Sequence, residues 1–266
     1  VCKGLMSVST SSYMQEIADY GLIFPSLVLW AYNFDGDKDF LKAVEPTIKG
    51  MHEYFSAFKR GDGLIEKIYG QWNLVDWPAN LRDGYDFPLT KPIGDGVHNV
   101  LNALWIGFLK AMNEIEDILG NDKVADCGKV ANSFYNAFYS ERTGLFCDSE
   151  TKAHSAVQSS VFPLLFGIFG NDENLKKRLV DKIYEKKLNS MGVYMAYFAL
   201  AALVKAGERE KATELVLDEN AWQNMIKEGA TTTFEAWGKD QKWNTSLFHP
   251  WAVAPLIVFS EIKEIY

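Results

Sequence analysis

Apolar residues recur along this chain with helical spacing, and that periodicity constrains the fold more than any single motif. Val97, Val100, Leu101, Leu104, Phe108, Leu109, Met112, Ile115 and Leu119 keep the i, i+3, i+4 pattern without a break. No stretch of comparable quality alternates with the period of a strand. About nine or ten such segments run through the sequence, which makes it an all-α chain.

The segments alternate between two kinds. Tyr13–Phe34, Gly96–Leu119, His154–Phe169, Met191–Ala206 and Ser246–Ser260 are apolar nearly all round, as helices buried on both sides must be. Asp37–Phe58, Asp122–Tyr139, Glu173–Leu188 and Glu208–Leu217 carry one apolar stripe among many charges, as helices with one wet face do. Short turns join each inner helix to the next outer one: "DGDKDFL" at Asp35, "LGNDKVA" at Leu119, "FGNDENL" at Phe169 and "AGEREKA" at Ala206. Glycine supplies the left-handed helix stop, and Asp or Asn can cap the following helix in the first three. A repeat of helical hairpins closes into a ring or stacks into a solenoid, and inner helices buried on both faces favour the ring, a toroid of paired helices.

With 48% hydrophobic residues over 266 positions and no linker-like stretch, a single domain covering residues 1–266 is expected. The net charge of −8 and the scattered lysines and arginines argue against a nucleic-acid or anionic-membrane surface, so a neutral partner fits better. The longest apolar run, Met191–Val204, is too short to span a bilayer, and nothing upstream of it reads as a signal peptide. Cys2, Cys127 and Cys147 have no CxxC spacing, so neither a disulfide framework nor a zinc site is indicated, and no cofactor motif is found.

Two connections at the opposite end of the hairpins are long, Lys59–Asp95 and Asp218–Thr245, and both are rich in aromatic residues. Long loops in a compact helical domain are usually functional. The N-termini of the inner helices face the same end and favour an ionised carboxylate there. The first loop contains "YGQWNLVDWPANLRDGYDF", with Trp72, Asp76, Trp77, Asp83 and Asp86; the second contains "GATTTFEAWGKDQKWNTSLFHPW". Flat aromatic faces beside carboxylates, amides and hydroxyls hold sugars, whose rings present apolar C–H faces and an equator of hydroxyls. Neutral carbohydrate is therefore the inferred ligand class.

Each of these residues also has a purely structural reading. Trp237, Trp243 and Trp251 suit a core as well as a ligand, and His249, before Pro250, suits a cap. Asp76 and Asp83 can close turns, and Thr231, Thr232 and Thr233 can form a short extended segment. Glu235 is harder to dismiss. An acid between Phe234 and Ala236–Trp237 must be paired or put to use if it is buried.

"GATTTFEAW" followed by "NTSLFHPWAVAPLIVF" resembles the end of the catalytic domain of bacterial α-L-rhamnosidases, inverting glycoside hydrolases with an (α/α)6 barrel. "YMQEIADYGLIFPSLVLWAYNFDGDKDFL" and "WNLVDWP" are similar to that family in the same order. The resemblance implies hydrolysis of terminal α-L-rhamnosyl residues, with Glu235 as general base and His249 as a sugar contact. It further implies Trp77 and Trp30 in the sugar pocket and Asp76 at its rim; Trp237 is a further candidate substrate contact, and the threonine hydroxyls near Glu235 are expected to hydrogen-bond to it. The family's general acid lies in a Cys-Pro-x-Arg-Glu motif upstream of the segment matching Ser9–Trp30, and no such motif occurs here. The expectation is a toroid incomplete at its N-terminus, a fragment with little or no hydrolysis of its own. Its parent protein would supply the acid and flanking β-sandwich domains.

Overall fold

The structure, a computed structural model, describes residues 4–5, 16–68, 72–85 and 96–256. It is all-α. Among the described residues there are nine α-helices, and the only strands are the two-residue β1 (Tyr139–Ser140) and β2 (Leu145–Phe146). No helix there is long and apolar enough to cross a membrane. The chain divides into two compact units: Val1–Leu74 with Asp86–Tyr139 and Asp148–Ala153, and Val75–Tyr85 with Ser140–Cys147 and His154–Tyr266.

The first unit contains α1 (Ala18–Asp35), α2 (Lys38–Ser56), α3 (Asn99–Leu119) and α4 (Cys127–Phe138). Gly36 closes α1 at φ 72°, and Asp37 then caps α2 by accepting the Asp39 and Phe40 N–H groups at 2.9 and 3.0 Å. Such a cap stabilises a helix by about 1 kcal/mol. α2 buries only its stripe of Leu41, Ile48, Met51 and Phe55, whereas α3 is buried on almost every side. Phe55, Trp105 and Phe108 form an aromatic cluster with centroids 5.5–6.3 Å apart. Asn102 of α3 pairs both ways with the Ile65 backbone, at 2.8 and 3.0 Å, and so pins the start of the first long connection.

Two expectations for this unit are revised. α1 is buried only as far as Leu29 and not all round; Leu27, Trp30 and Phe34 are exposed. α4 starts at Cys127, capped by Asp126 rather than by a residue of "LGNDKVA".

The second unit contains α5 (Gln158–Leu165), α6 (Glu173–Lys186), α7 (Val193–Lys205), α8 (Arg209–Val216) and α9 (Trp222–Lys227). α7 has the all-round burial expected of an inner helix, and α6 shows a single stripe of Leu175, Leu179, Val180 and Ile183. Asp172 caps α6, while α8 has no side-chain cap, consistent with the lack of Asp or Asn in "AGEREKA". The second long connection is not all loop, since α9 forms within it.

The helix expected from Ser246 does not begin there. Residues 246–249 run beside 233–235, with Glu235 N–H donating to the Ser246 carbonyl and His249 N–H to the Thr233 carbonyl, each at 2.8 Å. Pro250 disfavours helical backbone at His249, which is extended at φ −138°, ψ 105°; a 3-10 turn over Pro250–Ala252 follows, and α-helical backbone comes only after it, at residues 254–256. The remainder of that expected helix, residues 257–260, and residues 13–15 of the first lie outside the described residues.

Candidate active site

The site is built in the second unit, from the turn at 75–85, the starts of α5 and α7, and the segment 233–249. Asp76 organises the first part. Its side chain is fully buried, Oδ1 accepts the Trp77 N–H at 2.8 Å, and Oδ2 accepts Gln158 Nε2 and the Gly192 N–H, both at 2.9 Å. Arg82 Nε donates to the Asp76 carbonyl at 2.7 Å. Gly192 is the N-cap of α7, so this carboxylate occupies a helix N-terminus, where the dipole and an orphan N–H favour it. Glycine is required there by close approach, because a Cβ would lie 1.8 Å from the Trp77 carbonyl oxygen and 2.6 Å from Asp76 Oδ1. Burial pushes the Asp76 carboxyl up to about 7, against the pull of the Gln158, Gly192 and Trp77 donors and the charge of Arg82.

Asp76 is therefore not at a rim; it lies beneath Trp77 and fixes its backbone. Asp83 is likewise engaged, by the Val157 N–H at 2.9 Å and Lys186 Nζ at 2.7 Å. Asp86 lies outside the described residues. The acids at inner-helix N-termini are thus Asp76 and Asp83, rather than Glu235.

Trp77 turns its half-buried ring so that Nε1 donates to Glu235 Oε1 at 3.2 Å. The other carboxylate oxygen, Oε2, accepts Lys242 Nζ at 2.8 Å and the Ser246 N–H at 3.0 Å. Both side chains of this ion pair are nearly buried, 11% exposed for Lys242 and 12% for Glu235. Lys242 is itself held by the Asn244 side-chain and main-chain oxygens at 2.7 and 3.1 Å, and its ammonium sits 6.0 Å from the Trp77 ring centroid. Burial works to raise the Glu235 pKa, but the hydrogen bonds from Lys242 and Ser246, with the charges of Lys242 and His249, bring it on balance below the ordinary glutamate value. The group is an oriented, ionised carboxylate at neutral pH.

The threonines act differently from expectation. Thr233 Oγ1 donates to the His249 carbonyl at 2.8 Å, which ties the two backbone segments together, and no threonine among the described residues bonds to Glu235. His249 is partly exposed and packs its ring on Trp251, with centroids 4.5 Å apart, while Trp251 leans on Tyr194 of α7. Burial is the main cause holding the His249 pKa below its usual value, with the Glu235 carboxylate opposing. Trp237 is a buried anchor rather than a solvent-facing ring: its Nε1 donates to the Met191 carbonyl at 2.6 Å, and it stacks edge-on against Trp222. Trp243, by contrast, is almost entirely exposed. Trp30 belongs to the first unit, where the residue is 61% exposed.

Sequence reasoning missed Lys242, Gln158, Gly192 and Ser246. Only Lys242 had a readable signal: a carboxylate in an apolar stretch demands a partner, and Lys239 and Lys242 are the cations that follow it within the same loop. Chemically, the arrangement offers a fixed carboxylate with aromatic rings and a histidine beside it, suited to accepting a proton next to a sugar.

Comparison with known proteins accounts for the repeat of helical hairpins. No curated protein sequence matches the chain. Among solved structures it is similar to a rhamnosidase from Klebsiella oxytoca with rhamnose bound, at 14% identity and a TM-score of 0.75, over 98% of this chain and 51% of that one. A GH78 family rhamnosidase of Bacillus sp. GL1 aligns at 17% identity and a TM-score of 0.78, over 96% of this chain and 27% of that one. A GH63 mannosylglycerate hydrolase from Thermus thermophilus in complex with glucose aligns at 12% identity and a TM-score of 0.65, over 98% and 76%. The chain thus spans about half or less of the length of these two rhamnosidases. Residues 5–260 match the family model described as the bacterial alpha-L-rhamnosidase 6 hairpin glycosidase domain. The chain belongs to that family of six-hairpin glycosidase domains.

Proposed function

We propose that this chain is part of the catalytic domain of an α-L-rhamnosidase that removes terminal α-L-rhamnosyl residues from glycosides or polysaccharides with inversion, and that Glu235 is its general base. The carrying observation is the Glu235 carboxylate itself, nearly buried, hydrogen-bonded by Trp77, Lys242 and Ser246, and kept ionised by Lys242 and Ser246. In the proposed step Glu235 takes a proton from water as the water oxygen bonds to the anomeric carbon. The glycosidic C–O bond breaks, and its oxygen takes a proton from a general acid. Inverting enzymes hold base and acid about 6.5–9.5 Å apart to leave room for that water. No acid is assigned among the described residues, since Asp76 is buried and Asp83 is paired with Lys186; the resemblance puts the acid in the Cys-Pro-x-Arg-Glu motif of the parent protein.

Trp77 and His249 flank the carboxylate and are the proposed sugar contacts. Changing Glu235 to Gln in the full-length protein should lower hydrolysis of an aryl α-L-rhamnoside by about two to four orders of magnitude while sparing rhamnose binding. Turnover near the wild-type rate would refute the assignment. The similarity to a mannosylglycerate hydrolase gives a second reading, a six-hairpin hydrolase of another sugar, which a panel of aryl glycosides separates from the first.

A further inference from the structure

The two oxygens of Glu235 are not equivalent. Oε2 carries two donors, Lys242 Nζ at 2.8 Å and the Ser246 N–H at 3.0 Å, whereas Oε1 carries one longer contact, from Trp77 Nε1 at 3.2 Å. A carboxylate oxygen has two lone pairs, so Oε2 is saturated and Oε1 retains one. Lys242 is not a loose surface lysine. Asn244 grips its ammonium from both its side chain and its carbonyl, and the ion pair with Glu235 is nearly buried at both ends. Water screens such a pair less than an exposed one, so its charge acts strongly on its partner.

We propose that Lys242 is a positioning residue for Glu235, its ammonium locking Oε2 so that Oε1 is the oxygen that takes the proton from the attacking water. This rests on the reading of Glu235 as the base. Lys242 thereby trades some basicity of the carboxylate for orientation and for a charge that persists at lower pH. Lys242 and His249 are the titratable groups acting on Glu235 among the described residues; Trp77 and Ser246 contribute neutral donors.

The test uses the full-length protein and its Lys242→Met, Lys242→Gln and Lys242→Arg variants. The Glu235 carboxyl titration is read by 13C NMR, as the difference from Glu235→Gln, and the acidic limb of kcat/KM on an aryl α-L-rhamnoside is read alongside. Without the ammonium, burial acts with less opposition, so the Met and Gln variants should titrate Glu235 about one pH unit or more higher, and the acidic limb should follow. Lys242→Arg should restore both, and His249→Gln should move the limb less. The Gln variant keeps a hydrogen bond and carries the test if the Met variant does not fold. An unchanged Glu235 titration in a folded Lys242→Met or Lys242→Gln protein overturns the proposal. A titration that moves while the limb stays fixed supports the Lys242 anchor and instead removes Glu235 as the base.

Discussion

Replacing Gly192 by Ala probes the joint on which the site is mounted. The added Cβ would stand 1.8 Å from the Trp77 carbonyl oxygen, and Cβ atoms essentially never approach closer than 3.0 Å, so that carbonyl must retreat by about 1.2 Å. The same peptide region holds the bonds of Asp76 Oδ1 to the Trp77 N–H and of Asp76 Oδ2 to the Gly192 N–H, at 2.8 and 2.9 Å, and a shift of that size stretches them past useful length. Overpacking costs about 1–3 kcal/mol. Each lost hydrogen bond to a buried charged group adds about 1.5–3 kcal/mol. Overpacking with one broken bond therefore destabilises the second unit by about 2.5–6 kcal/mol, and at about 2–4 °C per kcal/mol for a chain of this size the melting temperature should fall by roughly 5–24 °C. Thermal melts followed by far-UV circular dichroism measure this, and the displaced Trp77 should also weaken its contact with Glu235. A variant that melts within about 2 °C of wild type would mean that the turn at 75–85 relaxes freely, and the strut described above would then not exist.

Two further outcomes follow from the same network. An aspartate ionises near 3.9 in an unfolded chain, while burial pushes Asp76 up to about 7 in the folded one. Between those values the folded state keeps a proton that the unfolded state has lost, so stability should fall as pH rises through this window; urea midpoints should show the decline, and Asp76→Asn should remove it. A rise in stability over that range would mean that the N–H donors outweigh burial. Trp237→Phe removes the 2.6 Å bond to the Met191 carbonyl, a loss of about 0.5–1.5 kcal/mol by urea unfolding. A loss below about 0.5 kcal/mol would show that the carbonyl finds another donor.

The helices were readable because their causes are local. The stripe on α2 and the Gly36–Asp37 stop-and-cap pair are written in residues three or four apart, and the structure uses them as the spacing implies. Boundaries failed where a longer-range partner intervened. Residues 246–249 look helical in isolation, yet they pair with 233–235 and are held extended by that pairing and by Pro250.

The candidate site divides in the same way. That Glu235 would need partners was legible because an acid in an apolar stretch must be paired if it is buried, and Trp77 and His249 stood out as candidates because aromatic and polar residues concentrate in the two long connections. Asp76 looked like a residue of the rim, since nothing in "VDWP" foretells that Gln158 and Gly192 will close over it. Trp237 looked like a platform for a sugar until its N–H was seen to reach the Met191 carbonyl.

What the sequence by itself determined is the all-α repeat of hairpins, the family, and an acid that must find partners, because periodicity, caps and composition act over a few residues. Only the tertiary structure decided which side chains are buried and which cation meets which carboxylate. The Lys242–Glu235 pair and the Asp76 strut depend on segments brought together by packing, and burial sets both the strength of such contacts and the ionisation of the groups that make them.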